Sequence, residues 1–270
     1  LGATGWIGAS IASEAGAYDG LYVIGSCRFP PENKNAMPFV DEWRACDLTL
    51  PATEGGQRSL TNVLDDVDVL IVCISRRRKG DFHGGGIESL VTACVRVLEC
   101  AIEHRSKQKA DGAEPLPLHI LFVGTAYAAV FQNANVHTSG DPENNVRLVE
   151  EAKDYEDFYQ YLCGQEKTPA LEEHDITWTI ISPLAHIVYR DDFNQRRRVN
   201  MVTDTVAQQK VQDESTAQTY MTPSTFAWGV VSFVDRDPRS KDQEYVARRK
   251  RTRNTKIFLD DPTASRDDLE

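Results

Sequence analysis

The chain has 270 residues and a formal net charge of −11. That length fits one α/β domain with a small appended lobe, the charge argues against general nucleic-acid binding, and no apolar run approaches the length of a membrane span. Six cysteines (Cys27, Cys46, Cys73, Cys94, Cys100, Cys163) are scattered without a C-x-x-C pair. They point away from a zinc site and toward a reducing compartment: cytoplasm, mitochondrial matrix or chloroplast stroma, with no targeting segment visible.

The first eight residues read LGATGWIG, with glycines at Gly2, Gly5 and Gly8 and a helical pattern from Ala9 onward. In a dinucleotide-binding turn one glycine makes the tight bend, one lets the backbone approach a pyrophosphate, and one lets the helix pack on the sheet. The helix aims its free N–H groups at the phosphates. Residues 21–25, LYVIG, read as a strand, and so do residues 68–74, 119–123 and 177–181. These are continuous apolar runs, expected where both faces of a parallel sheet are buried. Residues 87–104 carry the clearest helical period, with Leu90, Val91, Cys94, Val97, Leu98 and Ala101 on one side. Strand and helix in alternation predict a Rossmann-type, doubly wound parallel sheet. Residues 107–117 read as an exposed loop. The polar stretch 190–219 lacks apolar periodicity, and Thr222-Pro223-Ser224 suits a helix start.

GATGWIG resembles the fingerprint of the extended and atypical short-chain dehydrogenase/reductases, the group that includes the nucleotide-sugar epimerases and dehydratases. Cys46-Asp47-Leu48-Thr49, residues 67–75 and residues 177–183 match further family segments in order. The resemblance covers about residues 1–190 and fades beyond 237. It implies a Rossmann domain over residues 1–183, a small C-terminal lobe over 184–259 and a flexible tail over 260–270. It also implies a first strand of about five apolar residues before Gly2, of which only Leu1 is present, so the N-terminal strand is expected to be truncated.

The same resemblance implies cofactor contacts from Gly2, Thr4, Gly5, Trp6, Ile7, Gly8, Ser26, Arg28, Asp47, Leu48, Ile74 and Ser75. At the end of the second strand an acidic residue would bind the ribose hydroxyls of NAD. Here the residues are Gly25-Ser26-Cys27-Arg28, with no carboxylate. Arg28 and Ser26 suit a 2′-phosphate, so NADP(H) is favoured over NAD(H); Arg28 as a plain solvated side chain is the alternative. Asp47 is an adenine contact or a turn residue. The run Arg76-Arg77-Arg78-Lys79 is a solvated loop, or a seat for an anion or an acidic partner. His83-Gly84-Gly85-Gly86 lacks the G-x-S-x-G elbow of an esterase and reads as a free loop.

Family members that transfer hydride use a Tyr-x-x-x-Lys pair on one helix face, where the lysine lowers the phenol's pKa. Matching Gly164-Gln165-Glu166 to the family's segment after that lysine puts Phe158 and Leu162 at the two positions. Neither side chain transfers a proton. Thr125 and Tyr127 stand near the family's assisting serine, and Ser182-Pro183 replaces its Arg-Pro. No catalytic residue is therefore assigned, with Tyr127, Tyr159 and Tyr161 as substitute acids. The expectation is an NADP(H)-binding, non-catalytic accessory or structural subunit of a larger assembly of organellar, respiratory type. It would be similar to the dehydrogenase-like accessory subunits of respiratory complex I. The alternatives are an active NADPH-dependent reductase or nucleotide-sugar epimerase/dehydratase with an unusual acid, and an NADP redox-sensing regulator.

Overall fold

The run Leu118–Val123, LHILFV, is buried at every position in the computed structural model, and its alternation divides the core in two. Ile120 and Phe122 enter one apolar cluster, Leu121 and Val123 the other. A strand with neither face in water needs helices on both sides. The structure describes residues 1–33, 36–49, 54–76, 87, 89–125, 142–164, 168–184, 186–187, 199–202, 220–234 and 253–260.

In chain order these form α1 (Trp6–Gly16), β1 (Ile24–Cys27), β2 (Glu42–Ala45), α2 (Glu54–Leu64) and β3 (Val69–Val72). Next come α3 (Leu90–Ala110), β4 (Leu118–Val123), α4 (Pro142–Cys163), α5 (Thr168–Glu173) and β5 (Ile176–Pro183). The last are β6 (His186–Ile187), β7 (Asn200–Val202), β8 (Tyr220–Met221), α6 (Pro223–Val231) and β9 (Thr255–Asp260). The main sheet has the order β3-β4-β5-β9-β7, parallel except for the β7–β9 pair. A separate parallel pair, β1-β2, flanks it. Helices α2, α3, α4 and α5 cover the face that carries Leu70, Val72, Ile120, Phe122, Trp178 and Ile180. Helices α1 and α6 cover the other face with Ile11, Ala15, Phe226 and Val230. The expected α/β architecture with a mainly parallel sheet is present.

Local chemistry sets the element ends. Ser89 caps α3 by accepting a hydrogen bond from the Thr92 amide at 3.2 Å. The helix then runs through Ala110, into the segment read as loop, because Lys107 and Lys109 suit the negative end of its dipole and Lys109 reaches the Glu173 carbonyl. Helix α4 stops at Cys163 and α5 restarts at Thr168, as Pro169 requires. Thr222 caps α6, with Pro223 in its first turn.

The segment expected as an appended lobe supplies β7, α6 and β9 to the main sheet and its second cluster. Strand β9 lies between β5 and β7, with Ile257 and Leu259 on one face and Phe258 on the other, all buried. Its apolar core is only three residues long, between Lys256 and Asp260, which is why it escaped a reading based on apolar runs.

Candidate functional site

The glycine turn sits at the carboxyl ends of β1 and β3. Gly2 has φ of +80°, and a Cβ there would lie 1.9 Å from the Cys73 carbonyl oxygen. A Cβ on Gly8 would lie 2.1 Å from the Gly2 carbonyl oxygen. Only glycine fits at either place: Gly2 for its left-handed backbone and Gly8 for the approach of α1 to the turn. Gly5 precedes α1 in extended conformation, and its amide bonds the Gly2 carbonyl at 3.0 Å. No side chain caps α1, and its first turn holds no acidic residue. The positive dipole end of α1 is thus unopposed by a side chain of its own first turn, as suits a ligand anion. Trp6, at the first helical position, is 48% exposed, whereas Ile7 packs against the second cluster. Thr4 hydrogen-bonds the Cys27 thiol, whose pKa is raised chiefly by burial.

The other expected cofactor residues fall around the same edge, with one exception. Arg28 follows β1 directly, partly exposed, its guanidinium 5.9 Å from the centre of the Phe29 ring. Ile74 and Ser75 follow β3, the first against the core and the second exposed. Leu48 packs against the first cluster. Asp47 accepts from the Thr49 amide at 2.9 Å and the Thr49 hydroxyl at 2.6 Å, so it builds its own turn. Ser26 is the exception: it is 1% exposed, and its Oγ has no hydrogen-bond partner among the described residues. A hydroxyl enclosed in this way does not meet a phosphate at the rim, which leaves the 2′-phosphate reading to Arg28.

At the ends of β3 and β4, α4 presents Glu150, Glu151, Asp154 and Tyr155. The Tyr155 hydroxyl donates to the Val123 carbonyl at 2.6 Å, at the end of β4. Burial pushes its pKa well above the ordinary value. Glu151 accepts from the Arg76 amide at 2.8 Å, and Asp154 from the Leu90 amide at 3.1 Å. The Arg76 guanidinium lies 2.6 Å from Glu150 and 3.4 Å from Asp154. The first cation of the basic run is therefore matched by carboxylates of its own chain; Arg77, Arg78 and Lys79 lie outside the described residues. This constellation was missed in the sequence. Its signal was the i, i+3, i+4 spacing of Glu151, Asp154 and Tyr155, which puts them on one helix face.

Phe158 and Leu162 lie deeper, 0% and 1% exposed. The Phe158 ring meets Phe122 edge-to-face at 4.7 Å. Tyr159 packs against Trp178 at 6.1 Å, with the Lys256 ammonium 4.7 Å from its ring centre. Tyr161 stacks on Phe158, and its hydroxyl reaches Glu99 at 3.4 Å. Since Tyr155 already marks the strand end, Tyr159 and Tyr161 sit a turn or more below the edge where the glycine turn opens. Tyr127 lies outside the described residues. Gly124 approaches Ser182 so closely that a Cβ would stand 2.2 Å from the serine Oγ. The Gly124 backbone thus packs directly against the buried Ser182 side chain.

No protein-family model matches the sequence, and no curated protein matches it either. Solved structures do match in shape. An NADH-dependent reductase A1-R′ of alginate metabolism aligns with a TM-score of 0.54 at 15% identity, over 97% of this chain and 94% of that one. A Serratia marcescens short-chain dehydrogenase/reductase double mutant gives 0.51 at 12% identity, over 94% and 92%. A 7α-hydroxysteroid dehydrogenase complexed with NADH and 7-oxo glycochenodeoxycholic acid gives 0.52 at 14%, over 98% and 92%. The fold is that of the short-chain dehydrogenases. At such identities the likeness speaks to fold alone. No helix among the described residues is long and apolar enough to cross a membrane.

Proposed function

We propose that the chain binds NADP(H) at the Gly2–Gly8 turn and performs no Tyr-Lys hydride transfer, serving as an accessory or structural subunit of a larger assembly. One observation carries the reading. The turn admits only glycine at Gly2 and Gly8 and leads into a helix with no side-chain cap, yet the rim of α4 at the same end of the sheet offers Glu151, Asp154 and Tyr155, each already bonded to backbone. The residues present suit a dinucleotide: the Gly2, Gly5 and Gly8 backbone and the α1 amides would hold the pyrophosphate, and Arg28 the 2′-phosphate. A bound nicotinamide would supply a hydride donor or acceptor. The Tyr155 phenol, buried and donating to Val123, is a poor proton donor for it.

The test has two parts. Titration calorimetry with NADPH and NADH is expected to show binding with NADPH preferred. Native electrophoresis of extract from the cells that make the protein is expected to show it in a particle far larger than a dimer. A free monomer or dimer that consumes NADPH stoichiometrically with a carbonyl or sugar-nucleotide substrate would remove the reading.

A further inference from the structure

Two carboxylates of α4 grip the chain where it leaves β3 and where it enters α3. Glu151, 5% exposed, accepts from the Arg76 amide at 2.8 Å. One oxygen of Asp154, Oδ2, accepts from the Leu90 amide at 3.1 Å and lies 3.4 Å from the Arg76 Nε. We infer that Glu151 and Asp154 are positioning residues of the nucleotide site: they fix the residues leaving β3 in the form that the nucleotide meets, and the bound nucleotide tightens their hold in return. The inference rests on the reading of the Gly2–Gly8 turn as a dinucleotide site.

A continuous line of contacts joins the two places. The Cys73 carbonyl oxygen lies against Gly2, so close that a Cβ on that glycine would stand 1.9 Å from it. From Cys73 the chain passes only Ile74 and Ser75, both placed at the nucleotide by the family resemblance, before it reaches Arg76. This short span is therefore held against the glycine turn at one end and by Glu151 at the other. Arg76 is fixed three ways: its amide by Glu151, its guanidinium between Glu150 at 2.6 Å and Asp154 at 3.4 Å, and its backbone by an isolated parallel bridge to Ile87. Leu90 opens α3, so its amide is among those the helix leaves without an internal acceptor. Asp154 supplies that acceptor, and its charge suits the positive end of the helix dipole.

The three carboxylates at this rim do not weigh equally. The Glu150 side chain is 56% exposed, and its pair with Arg76 is worth little in water. Glu151 and Asp154 are shielded from solvent, where a carboxylate is costly unless it accepts hydrogen bonds and where its removal strands a backbone amide. A span fixed before the nucleotide arrives needs no ordering when it binds, so losing either grip is read as weaker binding. Linkage is reciprocal, so the nucleotide strengthens the same two grips. Glu156 of the same helix turns instead to Lys256 of β9, at 2.7 Å, and serves as the control.

The experiment measures NADPH affinity by calorimetry, and hydrogen exchange at the Arg76 and Leu90 amides with and without NADPH. In the unaltered chain NADPH should slow both amides by about fivefold or more. Glu151→Ala and Asp154→Ala should each weaken NADPH about tenfold. Glu151→Gln keeps an acceptor for the Arg76 amide and Glu156→Ala breaks only the Lys256 pair, so both should bind within about twofold of the unaltered chain. Alanine variants that bind NADPH as tightly as the unaltered chain would overturn the inference. So would an equal loss in Glu156→Ala, which marks a general loosening of α4. Should the alanine variants fail to fold, exchange decides: amides that NADPH leaves unchanged overturn the role, and slowed amides with intact affinity in Glu151→Gln support it. An unaltered chain that binds no NADPH removes the nucleotide reading and this role with it, whereas binding that the alanine variants keep removes the role alone.

Discussion

The glycine turn lies at the carboxyl ends of β1 and β3 and the α4 rim at those of β3 and β4, and they are built on opposite plans. The turn leaves backbone N–H groups forward and excludes side chains by contact at Gly2 and Gly8. The rim has its polar side chains committed: Tyr155 to Val123, Glu151 to Arg76, Asp154 to Leu90. A nucleotide cradle depends on backbone shape and a proton-transfer set on free side chains, so one can be kept where the other is not.

The largest test of this contrast is Phe158→Ala. Removing a fully buried ring should lower stability by about 3–5 kcal/mol in urea unfolding while the folded fraction binds NADPH with unchanged affinity. A change in affinity would mean that Phe158 belongs to the site rather than the core. Gly2→Ala works from the other side. It strains a left-handed backbone and drives a Cβ into Cys73, costing on the order of 3 kcal/mol, with loss of NADPH binding. Tyr155→Phe strands the Val123 carbonyl and should cost about 1–3 kcal/mol with NADPH affinity intact. Rescue of any turnover by the tyrosine alone would break the contrast. Arg28→Ala should weaken NADPH by about tenfold, roughly 1.4 kcal/mol, and leave NADH alone.

The smallest effect concerns His104 at the far end of α3. Burial holds its pKa below the ordinary 6.5, with Asp65 at 3.5 Å opposing. The unfolded chain then binds the proton more readily, so stability is full above pH 6.5 and falls as pH drops through that value toward the folded pKa. His104→Gln should flatten the urea-unfolding free energy between pH 7.5 and 5.5.

Much of the fold was legible because apolar runs with both faces covered announce themselves: residues 119–123 and 177–181 fall within β4 and β5. The turn was legible too, since its chemistry is local and the three glycines are close in sequence. The rim was not. Matching Glu166 to a family pattern directed attention to Phe158 and Leu162, whereas the residues at the edge are set by where β4 ends and α4 crosses it. The i, i+3, i+4 spacing of Glu151, Asp154 and Tyr155 states that they share a helix face; that this face meets the ends of β3 and β4 is a tertiary fact. Strand β9 was missed for a related reason, since its pairing with β5 lies far along the chain.

That last pairing has a consequence for how the protein is made. Thr179 lies opposite Thr255 and Pro183 opposite Leu259, so the centre of the main sheet is closed by nearly the last described residues. During synthesis the β5 edge stays bare while the intervening residues emerge, an apolar strand open to any other chain. Contacts of such sequence separation also slow folding. A ribosome stalled before residue 255 would hold a chain with its first helices formed and its sheet unfinished, the stage at which a chaperone has most to hold.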